Sequence, residues 1–108
     1  MKLKLFKDVF EEIKQLMKKD SQSAIDPAMI MMIAQIVIAL MPVIIAMGKE
    51  IFPIIIKYIP QIIEAISKAK QPGVLDWEVG IREIAKKYMP NILKEYNEAQ
   101  KNTGVNPV

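Results

Sequence analysis

Residues 28–47 read AMIMMIAQIVIALMPVIIAM, twenty positions without one charge, interrupted in their apolar character only by Gln35 and Pro42. As a helix this stretch is about 30 Å long, the thickness of the hydrocarbon core of a bilayer. Its apolar residues point in every direction around the axis, so in any setting it must be surrounded by lipid or by other helices. A chain of 108 residues has little else with which to surround it. The stretch therefore predicts a membrane or a larger assembly.

The chain around it breaks into further helices. Asp26 is placed to cap this helix and Pro27 to occupy its first turn, while Gly48 suits a left-handed end. Pro42 removes one backbone hydrogen bond and is expected to kink it. Upstream, Leu3, Phe6, Val9, Phe10, Ile13, Leu16 and Met17 follow three-and-four spacing and predict an amphipathic helix over 3–19. Downstream, Ile51, Ile55, Ile56, Ile59, Ile62, Ile63 and Ile66 cover most of a helix over 50–70, stopped by Gln71-Pro72-Gly73. Asp76 caps a fourth helix over 77–101, with an apolar stripe of Trp77, Ile81, Ile84, Ala85, Tyr88, Ile92 and Tyr96. Residues 102–108 are expected to form a flexible tail.

The fold expected is thus all-α, with about four helices in one domain. A central apolar hairpin (27–47 and 50–70) is flanked by amphipathic arms (3–19 and 77–101). Four Xaa-Pro pairs, at Pro42, Pro53, Pro60 and Pro90, each precede Val, Ile, Gln or Asn and then Ile. Their uneven spacing excludes a solenoid array. Pro60 and Pro90 fall away from the apolar faces of their helices, which predicts curvature toward those faces.

The charge distribution narrows the function. Net charge is +3, and each flank mixes Lys or Arg with acids in similar number, which argues against a nucleic-acid-binding tail. With no Cys and no His, thiolate sites, disulfides and the commonest general base are excluded. No phosphate-cradling loop, zinc spacing or catalytic triad is present, so no enzyme, cofactor, metal or small-molecule substrate is expected. The start Met1-Lys2-Leu3-Lys4 resembles the basic end of a leader, but Asp8, Glu11 and Glu12 occupy the place of its apolar core, so no cleaved leader is expected.

Six Ile, two Val and one Leu in 28–47 together favour insertion by roughly 4 kcal/mol at about 0.3–0.6 each, opposed by Gln35 and Pro42. The next helix is less suited, because Lys57 at a bilayer centre costs about 2.5–3.5 kcal/mol. Glu50, Lys57, Gln61, Glu64 and Lys68 share one narrow arc of that helix. They are candidates for a polar seam that directs oligomerisation or lines a pore, or for an ordinary solvated face. Trp77, Tyr88 and Tyr96 are candidate interfacial anchors or helix-packing residues.

Basic residues lie mostly before Ala28 and after Ile66, which predicts both termini on the cytoplasmic or internal side. The layout resembles the minor membrane proteins of lipid-containing virions and small bacterial membrane subunits. That resemblance implies a non-enzymatic structural protein of a virion's internal membrane or a bacterial inner membrane, with a lipid bilayer and further copies as partners. Holins are similar in size and in their charged C-terminal segment, though they lack the long amphipathic N-terminal helix; that likeness implies a pore-former. A soluble homo-oligomeric adaptor, burying 27–47 between subunits, is the reading from a different class.

Overall fold

The computed structural model describes residues 3–20, 27–69 and 77–102, and within them the chain is helical throughout apart from one turn. In chain order the elements are α1 (Leu3–Asp20), α2 (Pro27–Met47), a 3-10 turn (Gly48–Ile51), α3 (Phe52–Ala69), α4 (Trp77–Lys86) and α5 (Met89–Asn102). The all-α expectation holds. The count of about four helices does not: the described residues form three continuous helical stretches, two of them bent internally. The capping residues Asp26 and Asp76, the stop at residues 71–73 and the tail beyond Asn102 lie outside the described residues.

Both bends follow from local chemistry. Gly48 sits at φ 75°, the left-handed conformation that ends α2 as its lack of a side chain anticipated. The chain does not then relax into a loop but tightens into the 3-10 turn, and α3 starts at Phe52 rather than Glu50. Pro53 occupies the first turn of α3, where its missing N–H costs nothing. A straight helix over 27–69 would be about 65 Å long, whereas the longest dimension of the molecule is 49 Å. The stretch therefore bends, and the left-handed Gly48 followed by the 3-10 turn is where its regular α-geometry is interrupted.

The second bend corrects the expected single helix over 77–101. Pro90 cannot donate to Lys86, and its ring crowds that same carbonyl. α4 accordingly ends at Lys86. The Lys87 and Tyr88 amides donate to the Ile84 and Ala85 carbonyls at 3.1 and 3.0 Å, in the tighter 3-10 pattern. The Ile92 amide then donates to Tyr88 at 3.0 Å and α5 begins. Pro90 thus starts a helix instead of curving one. Pro42 and Pro60, by contrast, remain inside α2 and α3, with their rings exposed.

One apolar core joins every helix. α2 is its centre: it touches α1, α3, α4 and α5, most extensively α4. Ile33, Ile36, Val37 and Leu40 of α2 are completely buried, with Ala39, Met41, Val43 and Ile44 nearly so. Ile13 of α1, Ile55, Ile59 and Ile62 of α3, Ile81 of α4 and Ile92 of α5 close around them. At about 25 cal/mol per Å² of apolar surface removed from water, each such side chain contributes about 1.5–3 kcal/mol before the entropy cost of ordering it. A short chain does, in large part, cover its most apolar helix.

Candidate functional site

What the chain leaves open on α2 is one flank. Pro27, Met31, Pro42 and Ile45 are exposed along it, and Ala34, Gln35 and Ile38 are half-buried. At 100° per residue, Met31, Ala34, Ile38, Pro42 and Ile45 fall within about 80° of arc. Met31 is 49% and Ile45 60% exposed, unusual for large apolar side chains so close to a core. No charged residue interrupts the flank from Pro27 to Met47.

Gln35, the single polar side chain of α2, sits at the edge of this flank. Its Oε1 accepts a hydrogen bond from Arg82 Nη1 on α4. A polar group on an otherwise apolar helix requires a partner, and here α4 supplies it from within the same chain. Among the described residues no buried side-chain nitrogen or oxygen is left without a hydrogen bond.

At its C-terminal end the flank opens into a groove of about 400 Å³ between α1, the end of α2 and the start of α3. Leu5, Val9, Ile44, Ile45 and Phe52 form its apolar walls. Asp8, Glu12 and Lys49 stand at the rim, where Lys49 Nζ lies 3.2 Å from Glu12 Oε1. Leu5 is 40% exposed. The flank is uncharged, whereas the groove at its end combines apolar walls with the charged side chains of Asp8, Glu12 and Lys49.

The polar seam, which runs from Glu50 in the 3-10 turn along α3, is divided. Its upper half docks α5: Lys57 Nζ donates to Glu95 Oε1 at 2.7 Å, and Tyr58 Oη donates to the same oxygen at 3.2 Å. Glu50 Oε2 accepts from Tyr96 Oη at 3.2 Å and from Gln100 Nε2 at 3.1 Å. The lower half stays in solvent, with Gln61 exposed and Glu64 bridging to Lys68 at 3.2 Å, one helical turn on. The Lys57 ammonium, bonded to it and beside it, holds the Glu95 carboxyl below its ordinary value, and Glu95 in turn raises Lys57. Burial first, then the nearby carboxylates, push the Tyr58 and Tyr96 hydroxyls up.

The candidate anchors are distributed differently. Tyr88 packs its ring against Tyr58, centroids 6.2 Å apart, and Tyr96 hangs over the seam through Glu50, so both lie within the bundle. Trp77 opens α4, and its side chain lies outside the described residues. Sequence reasoning overlooked Arg82, Tyr58 and Glu95. For Arg82 a signal existed, since Gln35 had to find a donor on a neighbouring helix. Among the described residues no cluster of three acidic side chains is placed to share a metal ion. No family model, curated protein or solved structure matches this chain.

Proposed function

We propose that this protein is a non-enzymatic helical assembly protein that associates with further copies of itself through the open flank of α2. One observation carries the reading: α2 is buried on three sides by its own chain and uncharged, with Met31 and Ile45 protruding, on the fourth. A helix that already has its core partners needs cover along one strip only, and a modest interface provides that. The internal hydrogen bond from Arg82 to Gln35 supports the same reading, because it occupies in cis the carbonyl oxygen of the one polar side chain on α2. The test is the mass of the purified chain in detergent-free buffer, by sedimentation or light scattering. The expected result is a discrete multiple of 12.3 kDa. Recovery only in the pellet after alkaline extraction of membranes would sink it.

A membrane-embedded or membrane-lining structural subunit, of a virion or a bacterial inner membrane, is the second reading. The helical stretch 27–69 favours it, being long and apolar enough by length and composition to cross a bilayer. A pore lined by the α3 stripe is less well supported. It requires α5 to release both Glu50 and Lys57, which in this bundle are engaged by Tyr96, Gln100 and Glu95.

A further inference from the structure

We infer that α1 rests its outer face on an anionic lipid surface, through a stripe of four lysines, Lys4, Lys7, Lys14 and Lys18. The inference goes beyond the self-association proposed above and does not depend on it. The contact is peripheral: it leaves the bundle folded and its core closed.

The charges of α1 are sorted by sign around its axis. Lys4, Lys7, Lys14 and Lys18 fall within about 80° of arc, on the side away from Val9, Ile13 and Met17, which are buried in the core. Asp8 and Glu12 lie on the flank that faces the groove, with Lys19 between them in angle, and Lys49 neutralises Glu12 at 3.2 Å. Among the described residues only Glu11 stands within the lysine arc, and it is bonded to Lys14 at 2.9 Å. The stripe is about 21 Å long. Its four lysines less one glutamate leave +3, equal to the formal net charge of the whole chain. The other solvated faces are built differently: Glu64 and Lys68 on α3, and Glu83 and Lys86 on α4, alternate the two signs within one turn. On α1, Lys4 and Lys7, and again Lys14 and Lys18, stand one turn apart, an arrangement that costs helix stability and that solvation alone does not require.

Sign and neighbours together select the partner. Lys4, Lys7 and Lys18 are exposed, and the Lys14 ammonium lies 5.3 Å from the centre of the Phe10 ring. Phe10 stacks on Phe6, centroids 5.8 Å apart, and these half-buried rings border the stripe on one side. Leu5, 40% exposed, stands on the other side, toward the groove. Ammonium groups flanked by aromatic and aliphatic side chains suit the headgroup region of a bilayer, where they meet lipid phosphate and carboxylate while the apolar groups lie beside them. A nucleic acid is less well matched. The stripe offers no arginine, whose planar fork suits phosphates and base edges. Its two rings are stacked on each other and half-buried instead of open to bases.

Co-sedimentation of the full chain with vesicles tests the contact. At about 0.1 M salt, binding is expected to vesicles containing about one-third phosphatidylserine, and little to pure phosphatidylcholine. Raising salt to about 1 M, which shortens the screening length to about 3 Å, is expected to release the chain. Lys7→Gln combined with Lys18→Gln is expected to weaken binding about 25-fold, near five-fold per lysine. Lys94→Gln combined with Lys101→Gln removes the same charge from α5 and is expected to change binding by less than about two-fold. All four positions are exposed, so helix content is expected to be unchanged in both variants. Equal losses for the two pairs overturn the stripe. Equal binding to both lipids, or binding that survives high salt, overturns the electrostatic contact. Tighter binding to a duplex oligonucleotide at equal phosphate concentration overturns lipid as the partner. Absence of binding to either vesicle refutes the inference and leaves self-association standing, because the mass in detergent-free buffer is read separately.

Discussion

α2 and α5 are attached to the same core by opposite means. Eight side chains of α2 are buried or nearly so, and its one polar group is answered by Arg82. α5 buries Ile92 alone among its residues, and holds on through two carboxylates, Glu50 and Glu95, each accepting from two donors on the facing helix. Packing of the first kind is cooperative and insensitive to salt or pH; docking of the second kind is local, solvent-facing and tunable. The centre of this molecule is therefore expected to unfold with the whole, and its last helix, anchored by Ile92 and these hydrogen bonds, to open at lower cost.

Substitutions in α2 break the comparison most severely. Ile36→Ala leaves a cavity where the side chain is wholly buried, and a loss of about 2–5 kcal/mol of global stability is expected, read by denaturant unfolding monitored by circular dichroism. Arg82→Met, which strands Gln35 at the edge of the core, is expected to cost about 1–3 kcal/mol in the same measurement. Adding Gln35→Leu to it recovers most of that loss if the hydrogen bond, and not the arginine stem, is what matters.

The effects on α5 are smaller and local. Glu95→Gln is expected to speed amide exchange across 89–102 by no more than about five-fold, with exchange in 33–44 unchanged. Equal acceleration in both regions would remove the distinction between them. Acid gives the same result without mutation. Glu95 is held below its ordinary value of 4.5 when docked, so its contribution is complete above that pH and is lost as pH falls through the lowered folded value. Lys57, raised above 10.5, behaves in the mirror sense: its contribution holds below that pH and fades as pH climbs past the raised value. Protection of α5 relative to the intrinsic exchange rate at each pH is thus expected to be greatest between these limits, with Glu95→Gln flattening the acid limb.

This contrast also marks what the sequence made legible. Three-and-four spacing marked α1 and α3, and the uncharged run between Pro27 and Gly48 marked α2, because each is a local property of a helix. The break at Lys87-Tyr88 escaped because the stripe keeps its phase across it: Ile81, Ile84, Ala85, Tyr88 and Ile92 are spaced as one helix would space them. Only the clash of the Pro90 ring with the Lys86 carbonyl separates the two segments, and in Pro42 and Pro60 the same chemistry is absorbed without a break. The stripe Glu50, Lys57, Gln61, Glu64 and Lys68 was visible as an arc. Its division was not, because the partners of Glu50 and Lys57 lie 38 to 50 positions away. The same holds for the covering of α2, which depends on how four other helices approach it.

The direction in which α3 leaves α2 hangs on a single backbone torsion. Around Gly48 the space is open, so a methyl group there meets no neighbour, and any penalty for Gly48→Ala arises from the left-handed geometry alone, about 1 kcal/mol. Small as that is, it acts where two strong helix-forming segments already abut without an intervening loop. One methyl group at this corner tilts the chain toward an unbroken rod, in which the isoleucines of α3 swing clear of the bundle they now complete.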